Sequence, residues 1–422
     1  MEKILRTIEK FIPKKLYRLG QPIYHYLLAL TGALIYRFPS QKIFIIGITG
    51  TKGKTSVAEL VNTVLEGAGY KTALAGTLRF KVGENSRPNK YKMTMPGRFF
   101  VQKFLHQAVD KKCDYAILEM TSEGTKQFRH KFINLNAMIF TNLAPEHIES
   151  HGSYEKYRTA KLKIFKALEK SNKKEKIAIV NKDDKEAPLF LNFNIPQKIT
   201  YSLSEAQPFE LKKDGSIFNY KNTLFRTSLN GEFNILNILS AIKFGETQNI
   251  DLETIRKAIE NFKMIRGRVE KIEIDGNPPA GGFTVVVDYA HTPDSLEKLY
   301  QAFPERKICV LGNCGGGRDT WKRKVMGEIA DKYCDQIILT NEDPYNEDPQ
   351  KIIDEMSQGI SNKPLEKILD RKEAITKAIQ SAQKDDVILI TGKGTDPYIM
   401  GPNNTKIEWD DASVVREILK NK

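Results

Sequence analysis

Ten residues, Gly47 to Ser56 (GITGTKGKTS), carry the densest chemistry in this chain. Gly50 and Gly53 let backbone N–H groups approach polyphosphate oxygens with no Cβ in the way. Lys54 supplies a point charge for the outer phosphates, and the Thr55 hydroxyl can ligate magnesium. Thr51, Lys52 and Ser56 complete the loop. Five residues rather than four separate Gly47 from Gly53, a departure from the common phosphate-loop spacing. A carboxylate, Glu119, closes the apolar string YAILE, and Asn142, Glu146, His147, Glu149 and His151 follow the string AMIF. Any one of these alone is an ordinary loop residue. Together, beyond strand ends and beside a phosphate loop, they point to magnesium ligands.

These groups need elements to hold them. The apolar run KIFII precedes the loop, and VAELVNTVLEGAGY follows it with helical spacing, giving the strand–turn–helix context a phosphate loop requires. From residue 42 to about 245, short apolar runs (YAILEM, AMIFTN, KIAIVN) alternate with helical patterns. Buried parallel strands read as such runs, so the expected fold class is α/β, with a doubly wound central sheet. Phe209 to Leu229 alternates and contains Asp-Gly, which predicts an antiparallel meander. A second α/β block, Rossmann-like, begins near Arg266 with strands in FTVVVDYA, KICVLGN, QIILTNE and DVILITG. The joint lies in Asn261–Glu270. The predicted organisation is a helical N-terminal segment (1–40), a central ATP-binding domain (41–265) and a C-terminal domain (266–422).

A length of 422 residues suits two or three domains with cores of their own. The net charge of +14 favours acidic partners such as nucleotides, sugar nucleotides or a phospholipid surface. No interleaved basic–aromatic stripe supports a nucleic-acid partner. Cys113, Cys309, Cys314 and Cys334 show no metal spacing, which fits a reducing cytoplasm and argues against a disulfide framework. Residues 1–18 are basic, and the fifteen apolar residues Pro22 to Tyr36 fall short of the ~20 that span a bilayer. A helical hairpin is expected here, either packed on the enzyme or lying on the inner membrane leaflet.

The motifs GTKGKT, EMTS, TNLAPEHIESHG with YRTAK, GEFNILN, GRVE, DYAHTPD, GNCGGGRD with KR, and TGKG occur in the order found in Mur ligases. Within them the chain most resembles the muramyl-tripeptide synthetase (MurE) branch, over residues 43–400. The resemblance implies ATP-dependent amide bond formation through an acyl phosphate, with ATP and Mg2+ as cofactors. The partners it implies are an amino acid and an acidic muramyl-peptide or related acceptor. It places Lys54 at the transferring phosphoryl group, Thr55 on one magnesium, and Glu119 and His147 on a second. Lys161 matches the lysine this family carbamylates, which turns an ammonium into an anionic metal ligand. Asn234 and Asn237 match positions near adenine and ribose, and Arg268 matches the hinge arginine. Asp288, Tyr289 and His291 lie where the C-terminal domain closes over ATP. The amino-acid site maps to Asp343, Pro344, Tyr345, Gly392 and Asp396, and the acceptor site to Thr121, Ser122 and Arg318.

Three departures qualify the resemblance. Where diaminopimelate-adding enzymes carry Asp-Asn-Pro-Arg, this chain has Asp343, Pro344 and Tyr345 within NEDPYNEDP, so the bidentate carboxylate clamp is lost. That points away from diaminopimelate and toward lysine or another amino acid. Gly-Lys-Gly-His-Glu becomes Gly392-Lys393-Gly394-Thr395-Asp396, and Ser-Ser-His becomes Thr121-Ser122-Glu123. About forty residues precede the loop, too few for the family's uridine-diphosphate domain, so a lipid-linked or other acceptor is a further expectation. Alternatives are a cyanophycin-synthetase-like or folylpolyglutamate-synthetase-like ligase on another carboxylate, or a non-catalytic nucleotide-binding scaffold. The expected location is the cytoplasm, peripheral to the inner leaflet if the N-terminal segment binds it.

Overall fold

The computed structural model describes residues 14–91, 93–146, 148–212, 214–274 and 277–421. In chain order, α1 (Lys14–Ile35) is followed by β1 (Phe44–Thr49), α2 (Lys54–Gly67), β2 (Thr72–Ala75), β3 (Arg79–Val82) and β4 (Asn85–Pro88). Then come α3 (Arg98–Asp110), β5 (Tyr115–Glu119), β6 (Ala137–Phe140), α4 (Tyr154–Glu169), β7 (Ile177–Asn181) and β8 (Gln197–Tyr201). The predicted apolar runs are these strands, and β5, β6 and β7 are buried along their whole length, as parallel strands covered on both faces must be.

The chain divides into two compact units. The first takes residues up to Gly50, Ala68–Asn142 and Arg158–Thr200. Its eight-stranded sheet runs β4-β3-β2-β5-β1-β6-β7-β8. β2, β5, β1, β6 and β7 are parallel, while β3 and β4 form an antiparallel edge. β1 lies between β5 and β6, where the strand order reverses, so Glu119 ends β5, and Gly50 and Thr141 directly follow β1 and β6, at a topological switch point.

Helix α1 corrects the expected hairpin. It is one continuous helix through Gly20 and Pro22; a proline removes one ladder hydrogen bond without reversing the chain. Ala29 and Ala33 are buried and α1 packs on α3, which gives its second half a partner. Residues 1–13, with Lys3, Arg6 and Lys10, lie outside the described residues. Among the described residues no helix is long and apolar enough to cross a membrane.

The second unit takes Thr51–Gly67, Leu143–Tyr157 and the chain from Tyr201 on. The predicted meander is an antiparallel sheet of β9 (Phe209–Lys212), β10 (Gly215–Tyr220) and β11 (Thr223–Thr227). Helices α5 (Glu232–Thr247) and α6 (Leu252–Asn261) pack on α2. Next come β12 (Glu270–Lys271), β13 (Thr284–Val287), β14 (Lys307–Leu311), α7 (Lys322–Tyr333), β15 (Gln336–Leu339), β16 (Leu365–Lys367) and β17 (Val387–Ile390). They build a sheet ordered β12-β13-β17-β14-β15-β16, parallel except for β12. Alternate residues feed two cores: Val286, Leu311 and Leu389 face one, and Val285, Val310 and Ile388 the other. The cysteine expectation needs correction. The crossover from β14 through α7 brings Cys309 and Cys334 together as a disulfide, while Cys113 and Cys314 are free and buried.

Candidate active site

In the first unit, strand ends deliver Gly50 and Glu119, and α4 delivers Lys161. Gly50 holds φ +153, and a Cβ there would lie 1.9 Å from Thr141 Oγ1, so no side chain fits. Lys161 is 2% exposed, and its Nζ donates to the Gly50 carbonyl at 2.6 Å. Glu119 is buried; Oε1 accepts the Thr77 N–H at 2.7 Å and Oε2 the Thr77 hydroxyl at 2.9 Å. The Thr121 hydroxyl caps the short helix Ser122–Lys126 by accepting the Gly124 N–H at 3.1 Å, and Ser122 is buried. Gly47, upstream in β1, serves packing: a Cβ would meet Met138 Sδ at 2.3 Å and Met120 Sδ at 2.8 Å.

In the second unit, the remainder of the phosphate loop opens α2. Gly53 holds φ +81, and a Cβ there would sit 2.5 Å from Asn237 Oδ1. Asn237 donates to Asn234 Oδ1 at 3.1 Å, and Asn234 to the Asn230 carbonyl at 2.8 Å. These buried asparagines therefore back the phosphate loop itself. Lys54 Nζ donates to the Thr51 carbonyl at 2.8 Å, and Thr55 and Ser56 are buried at the helix start. Lys52 Nζ donates to Glu146 Oε1 at 3.0 Å. His291 Nε2 stands 3.2 Å from the same oxygen.

The hinge segment is tied to the DYAH turn. Asp288 accepts the Val269 N–H at 2.7 Å and the Ala290 N–H at 2.6 Å. Burial raises its pKa, against the pull of the Arg268 guanidinium and these two N–H groups. Arg268 donates to the Gly267 carbonyl at 2.9 Å and stacks 4.5 Å over the Tyr289 ring.

The amino-acid set gathers beyond β15 and β17. Asp343 Oδ1 accepts Lys393 Nζ and the Met400 N–H, each at 2.8 Å. Lys393 also stands 3.2 Å from Asp396. Burial works against the Lys393 charge, but Asp396 and Asp343 outweigh it and hold the pKa up. Asp343 is thus committed to the protein. Pro344 precedes Tyr345, whose backbone N–H donates to the Met400 carbonyl at 3.0 Å. Arg318, expected with the acceptor, donates to the Tyr345 hydroxyl at 3.2 Å and lies 5.6 Å from its ring.

Sequence reasoning missed Glu342 and Lys393 in this set, although NED and GKG flanked residues already singled out. Glu342 is 5% exposed, its Oε2 has no partner, and Gly392 leaves that oxygen room. Burial, then Asp343, raises its pKa. A basic cluster in the first unit was also missed. Both ring nitrogens of His25, Arg98 Nη2 and Arg129 Nε are buried without partners. Burial, then Arg98 and Arg129, pushes His25 down to about 4. Burial and Arg129 lower Arg98 to about 10, while Glu123 partly offsets the burial of Arg129. No local motif joins these three, so only the fold reveals them.

His147 lies outside the described residues, as do the side chains of Ile148 and Glu149. Among the described residues, no three His, Cys, Asp or Glu side chains gather as a metal-binding group. The groups present nonetheless fit ATP and magnesium. The glycine cradle leaves space a Cβ would fill, and Thr55 and Glu119 are oxygen donors of the kind magnesium takes.

The Mur ligase middle domain matches residues 48–245, and the Mur ligase glutamate ligase domain residues 267–394. A UDP-N-acetylmuramoyl-L-alanyl-D-glutamate–2,6-diaminopimelate ligase from Syntrophomonas wolfei is 37% identical, over 94% of this chain and 82% of its own. The solved structure of a ligase of that name superimposes with TM-score 0.63 at 29% identity, covering 92% of this chain and 82% of that one. A Mycobacterium tuberculosis folylpolyglutamate synthase, solved with ADP and AMPPCP, shares the fold at TM-score 0.69 and 16% identity, over 87% of this chain and 92% of that one. With both domain families matched in order along the chain and a relative 37% identical over 94% of it, the chain belongs to the Mur ligases.

Proposed function

We propose that this enzyme joins an amino acid without a distal carboxylate, lysine first among them, to the carboxylate of a muramyl-peptide acceptor. The coarser statement needs no proposal: a Mur ligase is an ATP-dependent amide-forming ligase that uses ATP and magnesium. Tyr345 carries the finer one. Where the resembled diaminopimelate site has an arginine this chain has the Tyr345 phenol, and the guanidinium beside it, Arg318, donates to that phenol at 3.2 Å. The relative named above is a diaminopimelate ligase, so a direct screen decides the matter.

The residues divide the work as follows. Lys54 and the loop N–H groups stabilise charge on the transferring phosphoryl group, and Thr55 holds one magnesium. Glu119, His147 and a carbamylated Lys161 hold a second; Lys161 is buried, where an anionic form needs a cation beside it. Attack of the acceptor carboxylate on the terminal phosphorus gives an acyl phosphate and ADP, and attack of the amine on the acyl carbon then expels phosphate. Asn234, Asn237, Arg268, Asp288, Tyr289 and His291 serve the nucleotide. Thr121 and Ser122 border the acceptor, and Arg98 and Arg129, half-buried cations that each keep a nitrogen without a hydrogen-bond partner, receive its carboxylates. Asp343, Pro344, Tyr345, Gly392 and Asp396 shape the amino-acid site, joined by Arg318 from the side of Tyr345.

We assign the domains as 1–40, 41–265 and 266–422, in keeping with the two family matches, and the location as cytoplasmic. Ile23, Leu27 and Leu34 form an exposed apolar stripe on α1, at 65%, 52% and 55% exposure, supporting peripheral contact with an acidic membrane surface. Sedimentation with anionic vesicles tests that contact, and Leu27→Ser should weaken it. The functional test is a screen of the twenty amino acids and diaminopimelate for phosphate release with several muramyl-dipeptide acceptors. A clear preference for diaminopimelate would overturn the amino-acid assignment.

A further inference from the structure

Glu146, named above only among the candidate magnesium ligands of its loop, is 8% exposed and touches two residues of the nucleotide set. Oε1 accepts Lys52 Nζ at 3.0 Å and stands 3.2 Å from His291 Nε2. The loop that carries Glu146 is pinned to the phosphate loop as well. The Ala144 N–H donates to Thr51 Oγ1 at 3.0 Å, and that hydroxyl stands 2.9 Å from the Tyr157 hydroxyl.

On the other side, His291 is fixed rather than free. Its Nδ1 stands 2.7 Å from the Tyr289 carbonyl oxygen, and its own carbonyl accepts Lys322 Nζ at 3.0 Å. A neutral ring donates to one of the two oxygens it faces, an imidazolium to both. The Tyr289 N–H donates to the Gly267 carbonyl at 3.1 Å, which joins the turn to the hinge segment. Glu146 Oε1 is therefore an oxygen at which a phosphate-loop cation and the DYAH turn meet. A buried carboxylate held by an ammonium is costly to break from either side, which makes such a contact discrete rather than gradual.

We propose that Glu146 is a positioning residue that clamps the phosphate loop to the Asp288–His291 turn and so fixes the hinge segment in register with bound nucleotide. The clamp rests on the ligase reading, and its test separates the two. Wild-type phosphate release is measured alongside the variants; its absence counts against the ligase reading. In Glu146→Ala, kcat falls on the order of 10²-fold, the scale of a small misplacement of reacting groups. The KM for ATP moves less than about threefold, because Lys54 and the loop amides remain. Glu146→Asp, which keeps the charge, recovers part of kcat, which a merely space-filling role would not give.

The double variant Glu146→Ala/His291→Ala is no slower than the slower single variant within about threefold, since both remove one contact. If Glu146→Ala does not fold, Lys52→Met approaches the same contact from the exposed end, with a matching loss of kcat. An active wild type with unimpaired kcat in Glu146→Ala or Lys52→Met overturns the clamp, as do losses that multiply in the double variant.

Discussion

Gly53→Ala probes the phosphate loop at its tightest point. Gly53 holds φ +81, a conformation that costs an alanine roughly 1–2 kcal/mol. The new methyl would also stand 2.5 Å from Asn237 Oδ1, where ordinary contact begins near 3.4 Å. Asn237 must swing away, and its 3.1 Å hydrogen bond to Asn234 goes with it, at a cost of about 1 kcal/mol. If the loop relaxes out of its binding shape to escape this strain, the sum of about 2–3 kcal/mol appears as weakened nucleotide binding. That is roughly 30- to 150-fold in Kd. Calorimetric titration with ATP and magnesium measures it, with circular dichroism to show that the fold persists. A folded Gly53→Ala protein that binds ATP within threefold of wild type would refute the reasoning.

Three other perturbations test separate claims. Lys161→Ala should lower turnover on the order of 10²-fold or more, with partial rescue by a short carboxylate; labelled carbon dioxide that leaves no carbamate resonance on the wild-type protein would exclude the modification. Asp411→Ala strands the Arg371 guanidinium, since the pair is at most 1% exposed and joined by two 2.8 Å hydrogen bonds. The loss should be about 3–5 kcal/mol in urea unfolding, and less than about 1 kcal/mol would contradict the picture. Tyr345→Arg adds a second guanidinium beside Arg318 at the amino-acid site and should raise diaminopimelate use over lysine about tenfold; unchanged selectivity in the kcat/KM ratio would remove Tyr345 from that role.

What could be read from the sequence follows from how each feature is encoded. β5, β6 and β17 were visible because a strand buried on both faces has little choice but to be a run of apolar residues. The glycine-rich loop was visible because its chemistry is contiguous. The contact of Lys52 with Glu146 spans 94 residues, and nothing in either local string announces it. The same holds for His25 beside Arg98 and Arg129, which three separate elements bring together. Local reading also misjudged commitment. Asp343 is identifiable as an acid at a strand end, but only the fold shows that its Oδ1 accepts from Lys393 and the Met400 N–H while Oε2 of neighbouring Glu342 has no partner. At α1 the change from basic to apolar residues suggested two arms, whereas one helix runs from Lys14 through Pro22 to Ile35.

The packing around Gly47 has an evolutionary corollary. Two thioethers, Met120 and Met138, fill the space that a side chain at 47 would claim. The three positions therefore share one volume, and a homologue with alanine or serine at 47 must shorten at least one sulfur-bearing neighbour. Such a trio should covary in a family alignment, while Gly50 and Gly53 stay fixed for conformational reasons. Counting the motif from Gly47 then mixes two kinds of selection, and the extra residue in the spacing belongs to the strand rather than to the nucleotide cradle.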